Sequence, residues 1–175
     1  MIGISVGAYL ATHGLDQAIL SLGYAPGNIN PTLLGDIPLS AGFDIFLHNW
    51  QTSLATALSG MWLVAPSLLA LAFNGMILGA VYYLTPNFTM FAAAIFPHGS
   101  IEIPSFVLAG SAGIRMGVAF IKSLGKGADS PEQIRFQEVS RQTIYVVIGL
   151  AVLFFIAGVI EGNITPVIMR MYGWK

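Results

Sequence analysis

Long apolar runs alternate along this chain with short stretches rich in Gly, Pro, Asn and Asp. Residues 1–22 are apolar apart from His13 and Asp16, and 23–44 have the turn-forming composition of a loop. Apolar runs follow at 45–64 and 66–84, divided at Pro66, a residue suited to the first turn of a helix and not to its interior. A shorter apolar piece, 88–97, ends at Pro97-His98-Gly99, and the next run covers 101–121 with Pro104 in its first turn. Residues 122–141 are the one strongly polar segment, and 142–164 form the last apolar run. None of these runs alternates in the ten-residue manner of a barrel strand, so all are expected to be helical. The pattern predicts an all-α, polytopic transmembrane helix bundle. It has about five spans, at 1–22, 45–64, 66–84, 101–121 and 142–164, with a broken or re-entrant helix at 88–104. Residues 1–175 read as a single integral membrane domain.

Charge sharpens this picture. Only 9% of the residues carry a formal charge, against roughly 25% in soluble domains. Between Asp44 and Glu102 no Lys, Arg, Asp or Glu occurs. As one helix that interval would run about 85 Å, against a hydrocarbon core of about 30 Å, so it crosses more than once. A soluble enzyme and a disordered chain are excluded, and a net charge of −1 leaves no electrostatic footprint for nucleic acid. Without Cys there is no disulfide and no thiolate ligand or nucleophile.

Orientation follows from the basic residues. Lys122, Lys126, Arg135 and Arg141 lie in 122–141, whereas 23–44 and 85–100 contain no Lys or Arg. The positive-inside rule makes 122–141 a cytoplasmic loop of a cell-membrane protein and puts the other two connections outside. The unusual polar residues then gather near the outer leaflet. Asp44, His48 and Asn49 open the second span, His98 and Glu102 open the fourth, and Glu161 and Asn163 close the fifth.

Glu102 and Glu161 are the sharpest chemical signals, because a carboxylate at mid-span costs about 2.5–3.5 kcal/mol and normally faces protein or water. His98 and Glu102 are four apart and share a helical face. With Glu161 they form either a proton or cation site, three ligands for a divalent metal, or capping groups at a helix start. An isolated HxxxE spacing does not by itself assign a metal. Asn74, beside Gly75 at mid-span, is expected to bond a neighbouring helix, and Asn49 and His48 complete the polar set. Small residues at fourfold spacing mark packing faces: Ala109, Gly113 and Gly117, the pair Gly75 and Gly79, and the pair Gly158 and Gly162. Such stripes allow close packing within the chain or across a homodimer. Arg115 lies about 220° round the wheel from Glu102 and is expected to snorkel to the nearby surface.

The segment FPHGSIEIPSFVLAGSAGIRMG at 96–117 resembles the signature of the stage II sporulation protein M family of integral membrane proteins. Phe46, Asn49, Asn74-Gly75, Gly79, Ile160-Glu161 and Thr165-Pro166 follow that pattern in kind and order. The resemblance spans about 45–166 and implies a multi-pass helical membrane protein with special roles for Asn49, Asn74, His98, Glu102 and Glu161. The sporulation members of that family work in a membrane-anchored complex with peptidoglycan-remodelling partners, and the resemblance implies no reaction.

No catalytic set, phosphate loop or nucleophile elbow is present, and no cofactor is indicated. The reading is a scaffold or transport-type membrane component, in contact with lipid and assembled as a homodimer or with membrane-complex partners. A cation- or proton-coupled transporter or channel is the alternative, and an intramembrane metal-dependent hydrolase the third.

Overall fold

Two side-chain caps mark where the two longest helices begin. Asn87 accepts a hydrogen bond from the Met90 amide at 2.9 Å, and Ser130 accepts one from the Gln133 amide at 3.2 Å with Pro131 next to it. Each cap satisfies an amide that the first turn leaves without a partner. The computed structural model of the protein describes residues 39–85 and 87–172. These form helix α1 (Leu39–Leu58), a short 3₁₀ turn (Ser59–Met61), α2 (Val64–Leu84), α3 (Phe88–Ser123), α4 (Pro131–Val159), a π-helical turn (Ile160–Ile164) and α5 (Thr165–Met171). The described residues contain no strand, so the all-helical expectation holds for them.

Cross-helix contacts give the topology. Asn49 meets Glu102, and Gly60 lies against Gly113, so α1 and α3 run in the same direction. Val64 lies at Gly117, Leu71 at Gly110 and Tyr82 at Phe91, so α2 runs against α3. Gly42 lies at Gly158 and Trp50 donates to the Val147 carbonyl at 3.1 Å, so α4 runs against α1. The core between α1, α3 and α4 consists of Ala57, Ala109, Val147, Leu150 and Phe154, with Phe46, Trp50, Leu54 and Phe106 packed round it. Phe106 meets Phe154 edge-on at 5.0 Å, a geometry favoured by the ring quadrupoles. A smaller cluster of Met116, Ala119, Val139 and Phe136 joins α3 to α4 nearer the α3–α4 connection.

Glycine makes the closest approaches. A Cβ on Gly60 would run into the Gly113 carbonyl, and one on Gly113 would meet the Ser67 hydroxyl and the Thr56 and Ala57 carbonyls. Close backbone contact of this kind substitutes for the hydrophobic drive that lipid removes. The outward faces are apolar instead: Leu69, Phe73, Phe96, Val107, Ile148 and Val152 are all exposed. That is the surface of a protein solvated by lipid.

Three helices are long and apolar enough to cross a membrane: α2, α3 and the run from Pro131 to Ile168. The expected span at 66–84 matches α2, with Pro66 in its first turn. The span at 45–64 falls on α1, which carries His48, Asn49, Gln51 and Thr52 and is not among the three. Asn49 is turned to Glu102 of α3 and the neighbouring Trp50 to α4, whereas His48 and Gln51 are exposed. The span at 1–22 lies outside the described residues.

Three expected boundaries are corrected. The helix over 88–104 is neither broken nor re-entrant, and the span placed at 101–121 is the second part of one 36-residue helix containing Pro97 and Pro104. A proline removes one ladder bond; Pro97 is half-buried and Pro104 exposed, while Ala93, His98, Gly99 and Ser105 around them are buried and hold the helix against its neighbours. Of the 122–141 segment only Leu124 to Ser130 is a loop, because α3 runs to Ser123 and the Ser130 cap and Pro131 start α4 eleven residues before the apolar run. The loop at 23–44 ends sooner than expected, since α1 includes Leu39 to Asp44.

Candidate functional site

His98 and Glu102 occupy one face of α3, a turn apart, and that face looks towards the end of α4. There the backbone widens into the π-helical turn, and the Thr165 amide bonds to the Ile160 carbonyl five residues back. Pro166 follows at once. Having no N–H, and with a ring that crowds the carbonyl four residues earlier, it disfavours a regular α-turn at this point. π-Turns of this kind are frequent at functional sites. This one carries Glu161 and brings Thr165 to the same side.

His98 is 6% exposed. Its Nδ1 lies 3.3 Å from the Thr165 hydroxyl, and its Nε2 lies 3.9 Å from Glu161 Oε1. Glu102 Oε1 accepts a hydrogen bond from Asn49 Nδ2 of α1 at 2.5 Å. One ligating atom from each of His98, Glu102 and Glu161 lies within 4.8 Å of the other two. Among the described residues, no Lys or Arg forms a salt bridge with either carboxylate. Chemically, such a group can share a proton, hold a cation, or do both in turn.

The cluster is not at a helix start. Glu102 lies about 21 Å along α3 from Phe88 and about 31 Å from Ser123, at 1.5 Å per residue. The placement of His98 and Glu102 at the opening of a span is thereby overturned, together with the capping reading that depended on it. The apolar face of 88–96 continues the helix beyond them.

Of the expected polar set, Asn49, His98, Glu102 and Glu161 come together. His48 does not: it is exposed, and its carbonyl accepts from Thr52. Asn74 bonds the Ala70 carbonyl of its own helix at 2.9 Å and not a neighbouring helix, because an Asn side chain reaches the carbonyl four residues back as readily as another helix. Asn163 is likewise turned to its own backbone, at Val159. Thr165, which the sequence marks only through its Thr165-Pro166 pattern, is the further member. Its spacing of four from Glu161 was the available signal, since that spacing joins residues on one helical face.

The small-residue positions divide similarly. Ala109, Gly113, Gly117 and Gly158 sit at helix contacts, and Gly79 and Gly162 are buried, whereas Gly75 is only half-buried. Gly110, outside the fourfold stripe, proves equally tight against Leu71. Arg115 is exposed.

Comparison with known proteins gives two matches. The family model described as stage II sporulation protein M matches residues 1–166. An uncharacterized protein of Methanocaldococcus jannaschii is 30% identical over 123 residues, covering 69% of this chain and 56% of the relative. The chain thus spans little more than half the length of that curated relative. No solved structure matches it.

Proposed function

The chain belongs to the stage II sporulation protein M family, and from that membership, together with three helices fit to cross a membrane, we propose that it is a multi-pass scaffold or transport-type component whose working centre is the Asn49–His98–Glu102–Glu161–Thr165 cluster. The observation that carries this reading is the meeting of His98, Glu102 and Glu161 from two long apolar helices, with ligating atoms no more than 4.8 Å apart. Two carboxylates and a histidine within such helices are costly for stability alone, and stability alone is better served by apolar packing. The proposed orientation, by the positive-inside rule, turns the Lys122 to Arg141 segment to the cytoplasm and the cluster towards the outer side of the cell membrane. The proposed partners are a second copy of the chain or other members of a membrane complex.

Complementation of a deletion strain tests the site. Glu102→Gln and Glu161→Gln are nearly isosteric and are expected to assemble in the membrane at normal levels while losing function. Full function in both, at normal abundance, would show that the site assignment is wrong.

Cation- or proton-coupled transport is the second reading, favoured by two carboxylates that lack a Lys or Arg partner among the described residues. Proteoliposome flux that is absent, or indifferent to Glu102→Gln, would remove it and leave the scaffold role.

A further inference from the structure

We propose that His98, Glu102 and Glu161 are a three-ligand site for a divalent transition cation of the zinc type, with a further coordination position left for water or substrate. The inference rests on the working centre proposed above and names what it holds.

The donor set has the right chemistry. Imidazole nitrogen with carboxylate oxygen suits zinc and its first-row neighbours, and three protein ligands with an open position are the pattern of reactive rather than structural zinc sites. The spacing is also right. Bonds of about 2.1 Å in a tetrahedron separate ligand atoms by about 3.4 Å. The present separations, up to 4.8 Å, exceed that value by about 1.4 Å, a distance within the reach of torsions of two glutamate side chains.

The surroundings orient each ligand. Thr165 reaches the Ile160 carbonyl at 3.4 Å and His98 Nδ1 at 3.3 Å; with the hydroxyl hydrogen on the carbonyl, the tautomer that fits is the one in which His98 Nδ1–H donates to the Thr165 oxygen. That tautomer leaves a lone pair on Nε2, which lies 3.9 Å from Glu161 Oε1, in a side chain only 8% exposed. Metal-bound histidines characteristically donate their second ring nitrogen in this way, and their carboxylate co-ligands are hydrogen-bonded in turn. Asn49 supplies that second support at Glu102 Oε1. A proton between His98 Nε2 and Glu161 would join those two groups, but would leave Glu102 with the Asn49 donor and nothing else. A divalent cation satisfies all three groups at once.

The test uses the full chain purified in detergent, freed of any affinity tag and stripped with chelator, then titrated with Zn²⁺ and separately with Co²⁺ as a spectroscopic probe. About one equivalent of zinc is expected, with a cobalt spectrum of the low-coordinate nitrogen–oxygen type. His98→Asn and Glu161→Gln should abolish this binding. Thr165→Val keeps all three ligands and should weaken zinc 10- to 100-fold while shifting the cobalt bands. A purely structural role for Thr165 would not move those bands. Should the ligand variants fail to assemble, the wild-type titration and Thr165→Val decide alone. Substoichiometric zinc on folded wild-type chain, a cobalt spectrum like that of the aqueous ion, or zinc affinity unchanged by Thr165→Val overturns the proposal. A chain that binds no zinc yet still requires Glu102 in complementation removes the metal and keeps the polar centre.

Discussion

Asn49 donates a hydrogen bond to the Glu102 carboxylate across 2.5 Å, tying α1 to α3 at residues 53 apart in the chain. An acceptor-only group in an apolar bundle is thereby given a donor from another helix, where an unpaired carboxylate would be costly. Of the four long helices α1 alone is not among those apolar enough to cross a membrane, and this contact ties it to one that is.

The Asn49–Glu102 bond should be measurable as a coupling. Asn49→Ala and Glu102→Ala are each expected to destabilise the folded chain by about 1–2 kcal/mol, the range for a charged hydrogen bond moderated by the membrane reference state. In a double-mutant cycle, followed by reversible unfolding in mixed detergent–denaturant micelles, the double variant should lose less than the sum. Additivity within about 0.5 kcal/mol would show that the two side chains do not interact.

Gly60 and Gly149 make a matched pair of opposite expectation. Alanine at Gly60 would place a methyl group on the Gly113 carbonyl, and should cost about 1–3 kcal/mol. A Cβ at Gly149 meets nothing within 4 Å, so Gly149→Ala should be neutral within about 0.5 kcal/mol. Thermal unfolding of the two variants side by side checks this, and equal effects would contradict the close α1–α3 approach.

Pro104 lies within continuous α3 and is exposed. Pro104→Ala restores a backbone donor for the Ser100 carbonyl and removes a ring from a helix interior. It should raise the unfolding midpoint or leave it unchanged, since interior proline costs up to about 3 kcal/mol in soluble helices. A large fall in midpoint would point to a backbone break that needs the proline.

Trp50 contributes both an indole face, stacked on Phe46 at 6.3 Å, and an Nε1–H bonded to Val147. Trp50→Phe keeps the ring contact and should cost about 0.5–1.5 kcal/mol for the lost bond. Trp50→Ala should cost about 3–5 kcal/mol. If both variants lose the same amount, the indole hydrogen bond carries the contact and the packing does not.

The extent to which the site was legible differs residue by residue. Glu102, Glu161 and His98 stood out because charge is scarce here and costly within a helix, and their types alone suggested convergence. Asn49 was chosen on similar grounds, and it did find a carboxylate. His48 and Asn74 looked equivalent, yet one faces outward and the other bonds its own helix. A polar side chain in a helix has a local carbonyl always within reach, and composition cannot say whether a partner on another helix will outcompete it. Thr165 carries no chemical signal of its own for the converse reason: threonine is common in helices, and only its position beside His98 makes it special.

Hydropathy and charge, which act at each position separately, were enough to determine from the sequence that this is a membrane protein made of helices, where α2 lies, and which residues are chemically anomalous. Whether 88–123 is one helix or two was beyond them, because proline's local preference for a break was overridden by burial of Ala93, His98, Gly99 and Ser105 against neighbouring helices. The π-turn, the parallel alignment of α1 with α3 and the joining of Asn49, His98, Glu102, Glu161 and Thr165 were likewise decided only by the tertiary structure. Each depends on which surfaces meet across tens of residues of chain, and that is settled by packing, where local pattern has no purchase.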